Sequence, residues 1–525
     1  MQKTLDIVLL PEEAANEELI ALRVFNMMGL HPSDNLKIRI LKRSIDARSR
    51  RQVKINLRVE AFVNEAVIPQ RINNPEYKNV TNARPVIIVG AGPAGLFAAL
   101  RFLELGFKPI VIERGKNVKD RRRDLAAINR MQTVNPESNY CFGEGGAGTY
   151  SDGKLYTRSN KRGNIQKVLE TFVYHGAEET ILVEAHPHIG TNKLPKIITD
   201  MRECIIAHGG EVHFNTKLIG LEKQGDKLKK IFVQQGENAE RISIETEALI
   251  LATGHSARDV FELLHAEGVL IEAKPFALGV RAEHPQTLID SIQYHCDLRG
   301  DFLPPAAYSL VEQVDGRGVY SFCMCPGGII APCATNPGEV VTNGWSPSKR
   351  NNPFANSGIV VEVRLEDMKG FEKYGPLMAM KFQQSVEQLA CTIGGGSQVV
   401  PAQRMVDFVN GKVSSTLPDT SYQPGIVSAD LREVFPIFIH QSLQGALKAF
   451  GKKMGGYYTN DAVLHAPESR TSSPVRIPRD NEHLHHPQLT NLYPCAEGAG
   501  YAGGIVSAAM DGIRVADAIA VQLKS

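Results

Sequence analysis

The sequence predicts an α/β protein in three parts. These are a discontinuous Rossmann-like nucleotide-binding domain, an α+β substrate or cap domain inserted into it, and a small N-terminal α+β module of ferredoxin-like pattern. Three observations predict this. An apolar strand, Val86–Val89, runs directly into Gly90-Ala91-Gly92-Pro93-Ala94-Gly95 and an apolar helix. The same strand–glycine–helix pattern returns in the last 35 residues. The chain has 525 residues, more than one hydrophobic core accommodates. The expected boundaries are 1–80 for the N-terminal module, 81–270 with 455–525 for the nucleotide-binding domain, and 271–454 for the insertion.

Composition narrows the function classes. The chain is 43% hydrophobic and 22% charged, with a net charge of +2, so no global charge draws it to nucleic acid or membrane. The N-terminus lacks a basic segment followed by an apolar run, and no stretch reaches about 20 apolar residues, so neither leader nor membrane span is expected. Eight cysteines scattered over this length do not form a disulfide framework, and a reducing cytoplasm is the expected location.

In the N-terminal module, Lys3–Leu10 reads as a strand and Pro11–Leu30 as a helix with Leu19, Leu22, Phe25 and Met28 at helical spacing. Lys37–Ile45 and Val53–Phe62 read as two further strands. Residues 71–84 read as a linker. Eight Lys or Arg and one acid, Asp46, lie between Lys37 and Lys54. An RNA-binding face is one reading, but those strands lack aromatics for base stacking, which favours a solvated or docking face.

The glycine motif has the context that makes it specific. Gly90 permits the tight turn, Gly92 lets a pyrophosphate approach the backbone, and Gly95 lets helix and strand pack closely. Pro93 and Ala94 open the helix, whose free N–H groups and dipole suit phosphates. The next strand ends at Glu113, 18 residues past Gly95, where a carboxylate suits ribose hydroxyls and repels a 2′-phosphate. Arg114 follows it.

Two later segments separate FAD from NAD. Ala248–Gly254, an apolar strand ending Ala252-Thr253-Gly254, resembles the second flavin-domain signature of glutathione-reductase-type flavoproteins. In that resemblance Gly210–Leu221, with Lys217 and Leu218, flanks the adenine. The strand Leu492–Pro494 leads to Glu497 and Gly498, then Gly503, Gly504 and a helix from Ile505. The family resemblance implies that an acid at 497 holds a ribityl hydroxyl and that this helix start faces the flavin, whose reduced form is anionic. The family's usual Asp is here Glu497. No second complete fingerprint appears, so a separate NAD(P)H domain is not expected.

Asn139–Leu155, Pro187–Thr191, Arg470–Arg476 and Gly500–Gly504 are similar to motifs of a bacterial family of FAD-dependent dehydrogenases of undefined substrate. This resemblance covers nearly the whole chain and implies fold and FAD. Phe142–Gly153 holds five glycines, and a loop of that kind can lie against a flat ring. Gly145, Gly146, Ala147 and Ser151 are therefore expected along the cofactor.

FAD performs the redox step, and the protein supplies position and a proton route. His188, Glu144 and Tyr501 are the candidate proton carriers. Each has a structural alternative: a backbone-bonded His, a helix cap, a packing ring. Arg470 and Arg476 would suit a carboxylate or phosphate substrate or inter-domain ion pairs, and Arg281 has the same alternatives. Arg121-Arg122-Arg123 fits cofactor phosphates or plain surface. Cys323, Cys325 and Cys333 lack a fourth ligand at good spacing, so no metal is expected; Cys141 is a reactive-thiol candidate. The loop of His483, His485 and His486 is expected to be exposed.

The function expected is an FAD-dependent oxidoreductase passing hydride between flavin N5 and an unidentified small organic substrate, with NAD(P)H as a candidate transient donor. A flavin monooxygenase and a flavin-containing redox-sensing or RNA-binding protein are the alternatives.

Overall fold

A computed structural model of the chain describes residues 1–67, 72, 74–157, 163–236 and 240–524. Two residues of the sequence-predicted linker, Arg71 and Asn73, lie outside these.

The nucleotide-binding unit is built on a five-stranded parallel sheet. Its order is Leu492–Pro494, Leu249–Leu251, Pro85–Val89, Lys108–Ile112, Glu211–His213. Strands covered on both faces must be apolar throughout, and Val86–Val89 and Leu249–Leu251 are wholly buried. The sheet therefore joins segments some 400 residues apart in the chain. The helix Pro93–Leu105 starts with Pro and stops at Gly106, which is left-handed with φ 84°. The C-terminal helix, Ile505–Lys524, packs against it so closely that a Cβ on Gly512 would sit 2.1 Å from the Ala94 carbonyl oxygen. A separate antiparallel sheet, Thr216–Gln224, Lys227–Gln235 and Arg241–Glu245, flanks this core.

The second unit is a seven-stranded sheet, antiparallel except for the pair Val400–Arg404 and Ile426–Ser428. The strand Val463–Glu468 lies inside it, between Phe276–Pro285 and Val400–Arg404. This corrects the expected boundary: the chain leaves the second unit at Val475–Arg476, not near residue 454. The reason is the continuous burial of Val463–Glu468, which only an interior strand provides. Entry and exit pair with each other, Glu272 opposite Arg476 and Ala273 opposite Val475.

In the N-terminal module Lys54–Val63 lies between Gln2–Leu9 and Leu36–Asp46, antiparallel to both. The expected single helix is two, Pro11–Ala14 and Glu17–Met28, because the Asn16 side chain accepts from the Glu18 N–H at 2.9 Å and starts the second. The buried stripe is Ile20 and Val24; Leu19 and Leu22 are exposed, so the expected apolar face is displaced. The module docks through backbone bonds on either side of Arg43, to Val183 and Ala185, both 2.9 Å. Its cations are partly neutralised within the chain: Arg39 pairs with Glu60, Arg48 with Asp46, and Arg43 with Glu184 at 3.8 Å.

Candidate cofactor and active site

A cavity of about 400 Å³ runs along the C-terminal ends of the parallel strands and on to the second unit. From the first fingerprint, Gly90, Gly92, Pro93 and Ala94 line it. Gly95 does not. A Cβ there would lie 1.9 Å from the Gly90 carbonyl oxygen, so Gly95 closes helix onto turn. Gly92 is the opposite case: a Cβ would meet no protein atom within 4 Å and would project into open space. The glycine pair thus yields a discriminating prediction. Gly95→Ala should lower apo-protein stability by about 2 kcal/mol through overpacking, together with flavin affinity. Gly92→Ala should weaken flavin binding while leaving the melting temperature of the apo-protein unchanged. Thermal melts and flavin titration check both.

Glu113 is buried and lines the same end. Its oxygens accept from the N–H groups of Ala91 at 3.0 Å, Gly115 at 2.9 Å and Gly143 at 2.9 Å. A carboxylate has about four lone-pair sites, so Glu113 braces three backbone segments and keeps capacity for one hydroxyl. Arg114, Lys217 and Leu218 line the neighbouring wall. Arg114 makes two 2.8 Å bonds to Asp259 and one of 2.8 Å to Glu137, and Lys217 pairs with Glu137 at 2.9 Å. The cations here are matched by carboxylates, which disfavours an added 2′-phosphate.

The glycine loop is held from beneath. The Arg121 guanidinium is fully buried and donates to the carbonyls of Asn139, Tyr140, Glu144 and Gly146, at 2.8, 2.9, 2.9 and 2.9 Å. Neither a phosphate contact nor plain surface describes it; only Arg122 and Arg123 of the run are exposed. Gly146, Ala147 and Ser151 line the cavity, whereas Gly145 turns away beside Ile198.

At the far end Ala252, Thr253, Gly254, Glu497, Gly503, Gly504 and Ile505 line the cavity. Gly498 does not: a Cβ there would lie 1.9 Å from the Thr253 carbonyl oxygen. Ala496 is held in the left-handed region at φ 58°, and its N–H donates to Asp511 at 2.7 Å. Burial pushes the Glu497 carboxyl up to about 7. His255 lies 3.8 Å from it and is pushed down to about 3, by burial first and then by Arg470 and Arg258, so its ring stays neutral.

None of the three sequence-predicted proton carriers lines the cavity. Glu144 is fully buried and accepts from the Val118 N–H at 2.7 Å and from Arg202 at 3.0 Å, at the start of the helix Val118–Arg130. His188 bonds the Ser348 carbonyl at 3.2 Å, behind Asp152 and Lys154. Tyr501 sits in a different cleft, its hydroxyl accepting from the Arg479 N–H at 3.0 Å. The groups that reach the cavity include Lys154, Tyr156, His255, Cys323 and Asn343. Lys154 lies in the loop already singled out. Cys323 and Asn343 arrive from the second unit; the Cys323-Met324-Cys325 pattern marks the first, and no local pattern marks Asn343. Cys141 and Cys333 also line the cavity. All eight cysteines are free, and no group of three or more potential metal ligands occurs among the described residues. His486, expected to be exposed, is buried with Nε2 2.9 Å from the Leu270 carbonyl.

Arg281 resolves as a buried structural cation; Arg470 is buried and ion-paired too, but it also lines the cofactor cavity, and its Nη1 lacks a hydrogen-bond partner among the described residues. Arg470 pairs with Glu387 at 2.8 Å, and Arg281 with Glu468 at 2.9 Å. Arg258 joins Glu387 at 2.8 Å and Glu339 at 3.2 Å, so this cluster ties the nucleotide-binding unit to the second unit.

These residues fit an extended dinucleotide. Two glycine-lined helix starts open on one cavity, an acid stands at the ribose end, and Thr253 Oγ1 and His255 Nδ1 lack hydrogen-bond partners among the described residues. The class of protein is thereby defined: an FAD-dependent flavoprotein oxidoreductase of mixed α/β fold. Residues 83–257 match the FAD binding domain family and residues 275–471 match the family described as FAD-dependent protein, C-terminal domain-like; residues 1–62 match a domain of unknown function. The chain is 42% identical over 516 residues to an uncharacterized protein of Clostridium beijerinckii, covering 95% of each, and it belongs to that protein's family of FAD-dependent proteins. Similar solved structures include a flavin-dependent brominase, with 14% identity, 84% of this chain and 79% of the other covered, and a TM-score of 0.33. A geranylgeranyl bacteriochlorophyll reductase-like protein of Thermoplasma acidophilum gives 12%, 84%, 80% and 0.33. CtdE in complex with FAD gives 10%, 84%, 84% and 0.32. No helix among the described residues is long and apolar enough to cross a membrane.

Proposed function

We propose that this flavoprotein is a dehydrogenase or reductase of the glutathione-reductase-type, single-dinucleotide-domain branch. It exchanges hydride with an unidentified small organic substrate, with NAD(P)H as a transient donor. One observation carries the reading. The cavity does not end at the dinucleotide cradle but is walled also from the second unit, by Phe322, Cys323 and Asn343, and Lys154, His255 and Glu497 line the same space. FAD supplies the hydride-accepting and hydride-donating atom. The chain's residues do the rest. Phe322 excludes water, Asn343 orients a polar substrate group, and the Lys154 ammonium, held by the Met324 carbonyl and 3.7 Å from Asp152, supports developing negative charge. Glu497, poised near neutrality, holds or moves the proton.

Anaerobic stopped-flow mixing with NADH and NADPH tests this. Rapid loss of oxidised-flavin absorbance with a saturable rate is expected. Failure with every donor, or reoxidation through a hydroperoxide, would overturn the assignment. The reductive rate should show an inflection near pH 7 that Glu497→Gln abolishes. The sign follows from the raised carboxyl: in the apo-protein its contribution to stability is complete below the ordinary pKa of 4.5 and is lost as pH rises through about 7. Melting curves across that window provide the second readout.

A further inference from the structure

A second cavity, of about 480 Å³, lies across the 496–501 turn from the cofactor cavity. Its walls come from both ends of the clip between the units and from the C-terminal helix. Lys274, Arg476, Arg479 and Arg514 converge on it around the Tyr501 ring. Two of these guanidinium groups lie over that ring, Arg479 at 4.0 Å and Arg476 at 5.3 Å from its centroid.

The charges do not cancel. Arg479 is matched by Asp511, at 2.6 Å. Lys274, Arg476 and Arg514 have no carboxylate ion-pair partner among the described residues. Arg514 donates only to the Asn481 carbonyl, at 3.1 Å. Glu272 is the one acid on the lining; it stands opposite Arg476 in the two-stranded pairing and, after the Tyr501 hydroxyl, adds to the pull that raises that guanidinium, but it lies beyond ion-pair distance. Burial first, and then the neighbouring Arg476, push the Lys274 ammonium down, against the pull of Glu497.

We propose that this cleft is a second ligand site, which takes a phosphate or pyrophosphate group. Planar guanidinium forks match phosphate oxygens in pairs, and an ammonium adds a point charge between them. A pyrophosphate would supply the missing negative charge. The site also has a route to the redox centre. The Gly500 and Tyr501 N–H groups bond the Glu497 and Ala496 carbonyls, at 3.0 and 2.9 Å, so one turn walls both cavities. Lys274 acts electrostatically on Glu497 across it.

Two sources carry this chemistry, a nicotinamide dinucleotide donor and a free nucleotide or pyrophosphate effector. Calorimetric titration of the flavin-loaded protein with inorganic pyrophosphate tests the site itself, independently of turnover. One saturable, salt-sensitive site is expected, weakened about tenfold or more by Arg514→Ala and by Arg476→Ala, each removing a charged hydrogen-bond donor. Flavin content should be unchanged in both variants, since neither side chain lines the cofactor cavity. A parallel rise in the KM for NADPH at constant kcat would assign the site to the donor. An unchanged KM with weakened ADP and pyrophosphate binding would assign it to an effector. Absence of saturable pyrophosphate binding, or binding that both variants leave intact, overturns the proposal.

Discussion

Arg121→Met protein is expected to purify without flavin and to unfold several degrees below the wild type. The wild-type guanidinium satisfies four carbonyls of the glycine loop, three of them in buried bonds and the fourth, at Gly146, partly buried. Methionine has similar length and no donor. Each orphaned carbonyl costs about 1–3 kcal/mol, and partial relaxation of the loop leaves a net loss of about 4 kcal/mol or more. The loop would then lose the conformation that places Gly146, Ala147 and Ser151 along the cavity. Arg121→Lys, with charge but no fork, should be intermediate. Flavin absorbance per protein and thermal melting provide the measurements. Full flavin occupancy with an unchanged melt in Arg121→Met would show that the loop holds itself.

Glu387→Gln should cost about 3–5 kcal/mol, the range for breaking a buried ion pair by removing one partner. Glu387 is fully buried and accepts from Arg470, from Arg258 and from the Ser469 hydroxyl. Burial alone would raise its carboxyl, but Arg258 and Arg470 hold it at about 2. Loss of its charge leaves two buried guanidinium groups facing Glu339 alone. Because the carboxyl is depressed, its stabilisation is present above the ordinary value of 4.5 and is lost as pH falls toward 2. The wild-type-to-variant gap in chemical denaturation should therefore be widest at neutral pH and narrow in acid. A gap that is flat with pH would refute the electrostatic account.

The cofactor cradle was legible because its demands are local. A turn that admits only glycine, a helix start and an acid at a strand end all fall within 28 residues, Val86 to Glu113. Glu497 and Gly503–Ile505 repeat that local syntax. The proton carriers were misplaced because their roles depend on distant partners. Glu144 resembles a free acid in a loop, yet its use is set by Val118 and Arg202, 26 and 58 residues away. Arg121 looks like the first of three surface arginines, and only its position on the inner face of Val118–Arg130 buries it. Arg258 and Glu387 meet across 129 residues. Cys323 and Asn343 reach the cavity from two different sheets, Arg317–Cys325 of the seven-stranded one and Thr342–Trp345 of a two-stranded one, a meeting that no short window reveals. The boundary error near 454 has the same origin: Val463–Glu468 looks like any apolar strand until its neighbours are known.

The clip at Glu272–Ala273 and Val475–Arg476 has a mechanical consequence. The 200-residue second unit joins the rest of the chain through these two adjacent strands and is pinned by the ion cluster of Arg258, Glu387 and Arg470, by Arg350 on Asp152 and by the packing of Leu377 and Met380 into the neighbouring core. Access between Phe322 and Cys323 on one side and Gly503 and Ile505 on the other would require those contacts to loosen together. The cationic cleft adjoins the paired strands, so an anion seated there would brace the covalent junction of the two units.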